Sequence, residues 1–146
     1  MPTTQLSPHF SLEELTHSDT AQACGIENTP DAAAIEQLTL LATVTLEGIR
    51  SACGDHPVMI SSGYRCPDLN EEVGGADNSA HKFGCAADFT IPGFGSVDEI
   101  CQALKPHLDL LEIDQLINET GGGASWVHVG RAVPPAEPRH EMLVIF

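Results

Sequence analysis

The chain of 146 residues has the length of one ordinary domain, and its 42% hydrophobic content is typical of globular folds rather than disordered chains. Six basic against 21 acidic residues give a formal charge of -15, which disfavours nucleic acid or an anionic membrane as a partner. No apolar run approaches the roughly 18 residues of a membrane span and no signal peptide is evident, so we expect a monomer without membrane insertion, cytoplasmic at synthesis.

Helix signals dominate the first third of the chain. Ser11 followed by Glu14 is a capping box, which predicts a short helix within an N-terminal brace, residues 1–30. Asn28-Thr29-Pro30 predicts a cap and a first-turn proline before a long amphipathic helix that opens the core, residues 31–146. The apolar positions of this helix recur at spacings of three and four: Ile35, Leu38, Leu41, Val44 or Thr45, and Ile49.

Strand signals fill the rest of the chain around two further helices. One helix is predicted from Pro67 to about Val73, and a second begins at the capping box of Ser96 and Glu99 and runs toward Leu108. Because helices come first and strands gather toward the end, we predict a single α+β domain with helices packed on one face of a largely antiparallel sheet, and a site on the open face. The predicted strands are 58–62, 86–91, 113–119, 126–130 and 142–146.

The cysteines and most histidines carry no ligand spacing. No Cys-x-x-Cys pair is present, which excludes a zinc ribbon or a thioredoxin motif, and we expect buried reduced thiols. A Cys/His protease is the alternative, because Cys85 is close to His81 in sequence, although nothing nearby marks it as an activated nucleophile. We expect surface positions for the five remaining histidines, which are His9, His17, His56, His107 and His140.

Two histidines and an aspartate form the constellation that suggests chemistry. His81 lies in a loop, Asp88 follows on a strand, and Gly84 can make the bend between them. Strand alternation places Trp126 and His128 on one face. Catalytic zinc sites use three such N and O ligands and keep a fourth position for water. The spacing alone is not specific, because a histidine on a strand is often a hydrogen-bonded structural residue.

A zinc hydrolase also needs a group that moves a proton, and Glu119 is the candidate. If residues 115–119 and 126–129 form a hairpin closed by residues 120–125, pairing Glu119 with Trp126 puts the carboxylate on the face that bears His128. Asp114 is the reserve candidate. The alternative for Glu119 is a salt-bridged or solvated surface residue.

These motifs resemble the family of zinc D-alanyl-D-alanine carboxypeptidases, which includes vancomycin-resistance dipeptidases and phage endolysins. The resemblance covers most of residues 9–130 and implies a fold shared with hedgehog signalling domains, zinc on His81, Asp88 and His128, and hydrolysis of peptidoglycan stem peptides or D-Ala-D-Ala peptides. The matching positions are Ser79, His81, Gly84, Ala86 and Asp88 in Ser-x-His-x-x-Gly-x-Ala-x-Asp, Trp126 and His128 in Trp-x-His, and the segments 61–70 and 73–76.

The resemblance also implies roles for neighbouring residues. Arg65 would clamp a substrate carboxylate or stabilise an oxyanion, with a plain ion pair as the alternative. Tyr64 and Ser79 are weaker candidates for substrate contacts, with sheet packing and turn capping as alternatives. Many relatives carry an acid three residues before the second histidine, where this chain has Ser125. The chain follows instead the group with Asp-Gln-Leu-Ile-x-Glu, which ends at Glu119.

Two peptidase activities and one rival function fit this pattern. A D-Ala-D-Ala carboxypeptidase and an L-Ala-D-Glu endopeptidase would use the same centre, and the sequence does not separate them. The rival is a non-catalytic zinc-binding or phage structural module of the same fold that recognises wall peptides without cutting them. A phage or prophage lysis enzyme, released to the cell wall, would explain why no export signal is evident.

Overall fold

The N-terminal segment is anchored to the core by two apolar side chains, one just before its first helix and one within it. The computed structural model describes residues 3–145. Ser11 accepts a hydrogen bond from the Glu14 amide and the Glu14 carboxylate accepts one from the Ser11 amide, which confirms the capping box. Phe10 and Leu15 are buried in the core. The elements here are β1 (Gln5–Ser7), β2 (Phe10–Ser11), α1 (Leu12–Thr16) and α2 (Asp19–Cys24), of which only α1 is predicted by the sequence.

The predicted start of the long helix is wrong. The N-cap is Asp31, whose carboxylate accepts a hydrogen bond from the Ala34 amide, and the helix begins at Ala32. Asn28 cannot cap it, because its amide donates to the carbonyls of Thr16 and Tyr64 and its oxygen accepts from the Cys66 amide. Asn28 therefore links the brace to residues 64–66.

The long helix is continuous from Ala32 to Ala52 and forms the centre of the core. It consists of α3 (Ala32–Leu40), a π-helical turn (Leu41–Leu46) and α4 (Glu47–Ala52). By length and composition alone it could cross a membrane, contrary to the expectation that no run approaches that length. Core helices pass the same test, and this helix has a fully buried face made of Leu38, Leu41, Ala42, Leu46 and Ile49.

Five strands form one mixed sheet in the order β3-β4-β6-β5-β7. The pairs β3–β4, β4–β6 and β6–β5 are antiparallel, and β7 joins the edge parallel to β5, so the prediction of a largely antiparallel sheet is confirmed with one exception. One face packs Phe89, Leu116, Val127 and Val129 into the helical core. The elements are β3 (Met59–Ser62), α5 (Pro67–Glu72), β4 (Ala86–Thr90), α6 (Val97–Leu104), β5 (Gln115–Gly121), β6 (Ala124–Gly130) and β7 (Glu141–Ile145), with 3-10 turns at Ala80–Phe83 and Lys105–His107.

The β5–β6 hairpin has the predicted register but a shorter turn. Glu119 pairs with Trp126 as predicted. The ladder continues to Gly121 and Ala124, so the predicted six-residue loop is wrong and only Gly122 and Gly123 form the turn. Both glycines have positive φ angles, 58° and 80°, which two-residue hairpin turns of this kind require.

Candidate metal centre

His81 is presented by the 3-10 turn with one ring nitrogen committed to the backbone. Its Nδ1 lies 2.6 Å from the carbonyl oxygen of Gly63, and because a carbonyl can only accept, Nδ1 carries the proton. The Ser79 hydroxyl accepts a hydrogen bond from the His81 amide and caps the turn. The side chain is almost fully buried, with a relative exposure of 2%. The Nε2 lone pair is therefore left free for a metal.

Gly84 makes the bend between His81 and strand β4. Its φ is 75°, and a Cβ at this position would lie 2.5 Å from the carbonyl oxygen of Ala34 on α3. The predicted bend is confirmed, and it brings the chain against the core helix before β4 carries Asp88 back to the site.

The bend gives a stability prediction with a matched control. We expect Gly84→Ala to lower the free energy of unfolding by about 3 kcal/mol, because it adds left-handed strain and a collision with backbone. Gly25 has a similar φ of 66° with nothing within 4 Å of a Cβ, so Gly25→Ala should cost only about 1 kcal/mol. Urea unfolding of both variants measures the difference. Equal losses would contradict the collision.

Asp88 and His128 meet because they are directly paired across β4 and β6. The Asp88 Oδ1 atom lies 2.9 Å from His128 Nδ1 and 3.4 Å from His81 Nε2. The three residues each offer a donor atom, and these atoms all lie within 4.8 Å of one another. The structure thus brings together the three residues that the sequence predicts as metal ligands.

The donor set fits zinc in spacing and in charge. Ligand atoms bound about 2.1 Å from a tetrahedral ion are about 3.4 Å apart, close to the separations found here. Burial alone would raise the pKa of the Asp88 carboxyl, but its two neighbours His128 and His81 hold that pKa well below its usual range. Asp88 is therefore an ionised carboxylate, the form that binds a metal.

Arg65 reaches the same site from the segment after β3. Its Nη2 donates to the second Asp88 oxygen, Oδ2, at 3.4 Å, and its Nε donates to the Ser62 hydroxyl at 3.2 Å. The pKa of the Arg65 guanidinium is lowered, because the effect of burial outweighs the opposite effect of the negative charges of Asp88 and Glu119. Arg65 thus forms an ion pair with a candidate metal ligand, Asp88, and also interacts electrostatically with the Glu119 carboxylate.

Asn70 is a site residue that the sequence reading missed. Its Oδ1 accepts a hydrogen bond from Arg65 Nη1 at 3.2 Å and its Nδ2 donates to the Ala76 carbonyl at 2.8 Å, while the residue is only 3% exposed. A Cβ at Gly75 would collide with Asn70 Oδ1. The only sequence signal is its place at the end of the segment 61–70, so its partners become evident only in the fold.

A cleft of about 380 Å³ contains six of the predicted site residues. Glu119 lies in it, as the hairpin register predicts. The indole Nε1 of Trp126, another lining residue, is buried without a hydrogen-bond partner among residues 3–145. The predicted residues that line the cleft are Arg65, Ser79, His81, Asp88, Glu119 and His128.

The other candidates lie outside this cleft. Tyr64 lines a separate cavity beside Lys82 and Phe83. Both carboxylate oxygens of Asp114 accept hydrogen bonds from the Arg139 guanidinium, so the reserve base is already paired. The Ser125 hydroxyl is 3.0 Å from that of Thr120 on the exposed part of the hairpin.

The cysteines show no sign of catalytic activation. Burial raises the pKa of the Cys85 thiol, whereas a nucleophilic cysteine needs a lowered one. Its Sγ contacts Gln37 Oε1 at 3.7 Å rather than His81. The expectation of buried reduced thiols is confirmed for Cys53, Cys85 and Cys101, but Cys24 is exposed and Cys66 is half-buried.

The fold and the site together define a class: an α+β domain with a His-Asp-His cluster that could hold a metal, beside an arginine and a glutamate. The chain belongs to the Peptidase M15 family, whose model matches residues 8–129. It is also 41% identical to a zinc D-Ala-D-Ala carboxypeptidase of Streptomyces albus G over 64 residues, which are 42% of this chain. The match spans about a quarter, 24%, of that relative's length. The family and the relative both imply zinc, in agreement with the donor set.

Proposed function

We propose that the protein is a zinc peptidase that hydrolyses peptidoglycan stem peptides at a bond to a D-amino acid. The observation that carries the proposal is the convergence of three donor atoms, an arginine and Glu119 in one cleft. Membership of the Peptidase M15 family and the similarity to a D-Ala-D-Ala carboxypeptidase support the substrate class.

The residues divide the chemical work between them. Zinc held by His81, Asp88 and His128 would supply Lewis acidity and an acidified water. Glu119 takes a proton from the attacking water and returns it to the leaving nitrogen. Arg65 has two N–H groups left after its bonds to Ser62, Asn70 and Asp88, and these stabilise negative charge on the substrate.

Of the two predicted substrate contacts, Ser79 lies in the metal cleft and Tyr64 does not. The Ser79 residue lines the metal cleft, so its hydroxyl is within the space where a substrate would bind. Tyr64 is buried and lines a neighbouring cavity, so a substrate contact by Tyr64 would fall outside the cleft. We keep Ser79 as a proposed substrate contact, and the role of Tyr64 stays a prediction.

A product analysis tests the activity and its type. We expect the zinc-loaded protein to release free D-alanine from a stem pentapeptide ending in D-Ala-D-Ala, measured by chromatography of the products. Clearing of purified walls without free D-alanine would identify an L-Ala-D-Glu endopeptidase instead. Failure to cut either substrate would overturn the proposal.

Place of action follows from the substrate. Hydrolysis of stem peptides puts the working enzyme at the bacterial cell wall, and a phage or prophage origin stays a prediction. The monomeric state is likewise a prediction, which size-exclusion chromatography with light scattering would test.

A further inference from the structure

A second and larger cavity adjoins the metal cleft. Its volume is about 570 Å³, within the range of ligand-binding pockets. Ala76, Ser79 and His128 line both this cavity and the metal cleft, so the two spaces meet at a metal ligand. The proposed mechanism gives no role to the residues that line the second cavity alone.

The two cavities lie at opposite ends of the same strand pair. Glu119 and Trp126 pair at the metal cleft, and Gln115 and Gly130 pair at the second cavity. His128, opposite Ile117, lies between them. Glu119 lies four residue steps along β5 from Gln115, a distance of about 13 Å at the usual rise of a strand. A peptide that passes His128 would therefore extend from one space into the other.

The direction of the substrate follows from the proton that Glu119 returns. That proton goes to the leaving nitrogen, so the leaving residue lies on the Glu119 side of His128. The acyl part, which precedes the scissile bond, must then extend toward the second cavity. The metal cleft, about 380 Å³, is the smaller of the two spaces, as suits a single leaving residue.

We propose that the second cavity is the binding site for the acyl part of the substrate, a peptide of at least two residues that precedes the scissile bond. The inference rests on the proposed function and deepens it, because a large acyl site with a small leaving site favours the carboxypeptidase mode. The enzyme then recognises the body of the stem peptide rather than its terminal dipeptide.

The walls of this acyl site suit a peptide. Small side chains of Ala80, Ala132 and Ala136 leave room for a backbone, and Asn78 and Ser79 offer amide and hydroxyl groups to peptide N–H and C=O groups. Ordered contacts hold the walls in place.

Hydrogen bonds of Arg131 and Arg139 fix the two ends of residues 131–139, the segment that forms one of these walls. The Arg139 guanidinium and backbone amide both donate hydrogen bonds to Asp114, the residue before β5, which fixes the end of residues 131–139. Arg131 donates from its amide to the Cys85 carbonyl and from Nη1 to Thr45, which ties the start. The acyl site is therefore preformed, so binding does not have to order it first.

Substrate length and a filling variant test the proposal. We expect kcat/KM for a stem pentapeptide to exceed that for acetyl-D-Ala-D-Ala by about 30-fold, because acyl-side contacts contribute to the transition state. Ala136 is exposed on a turn at the acyl site, so Ala136→Trp should fold and should reduce this ratio to about threefold or less. Ala23→Trp, at an exposed position of α2 that lines none of the three cavities, is the matched control and should keep the ratio.

A binding measurement separates this proposal from the peptidase activity itself. We expect the tetrapeptide acetyl-L-Ala-D-Glu-L-Lys-D-Ala to bind the zinc-loaded protein in calorimetry, with Kd raised about tenfold by Ala136→Trp but not by Ala23→Trp. Hydrolysis with an unchanged ratio in Ala136→Trp overturns the acyl site and leaves the peptidase standing. Binding lost in Ala136→Trp without any hydrolysis keeps the acyl site and overturns the peptidase. Absence of both binding and hydrolysis overturns both.

Discussion

Replacing Glu119 by glutamine should lower kcat by about 10³-fold and leave zinc bound. The amide keeps the shape of the side chain but cannot accept the proton of the attacking water. Glu119 is none of the three candidate ligands, so the metal content should not change. Release of D-alanine measures the activity, and elemental analysis of the dialysed protein measures zinc.

Two further variants make this test specific. Glu27 is exposed and outside the residues that line the cleft, so Glu27→Gln should keep full activity. Asp114→Asn examines the reserve candidate, whose carboxylate is paired with Arg139. Normal turnover in Glu119→Gln together with a 10³-fold loss of turnover in Asp114→Asn would identify Asp114 rather than Glu119 as the general base. A zinc-loaded wild-type protein that binds wall peptides and cuts none would favour the non-catalytic rival.

Local chemistry explains why much of the fold was predictable. The capping boxes at Ser11 and Ser96 satisfy amides three residues away, so both helix starts are encoded within a few positions. Strand alternation likewise fixes the faces of Trp126 and His128, and the pairing of Glu119 with Trp126 follows once the hairpin is accepted. The residues that meet at the candidate metal centre were therefore accessible from spacing and motif.

Features that depend on distant partners were not predictable. The sequence pattern predicts Asn28 as a helix cap, but its side chain instead donates a hydrogen bond to the Tyr64 carbonyl and accepts one from the Cys66 amide. Asn70 lies only five residues after Arg65, but no sequence pattern specifies that its side chain accepts a hydrogen bond from the guanidinium. The parallel pairing of β7 with β5 joins segments separated by the whole of β6 and a proline-rich connection, and no local pattern specifies it. For Asn28 and for β7 the partner lies outside the window that a sequence pattern covers.

Replacing His128 by alanine should abolish zinc binding and, with it, the stabilisation that zinc provides. At a free zinc concentration about 100 times Kd, binding stabilises the folded state by about 2.7 kcal/mol, so a chelator should lower the Tm of the wild-type protein by about 5–10 °C. His128→Ala leaves only His81 and Asp88, and the chelator should then leave its Tm unchanged. His56 is exposed and outside the site, so His56→Ala should respond to the chelator as the wild type does. Differential scanning calorimetry with metal analysis decides the point. A wild-type Tm insensitive to both chelator and added zinc would mean that the three donor atoms hold no zinc.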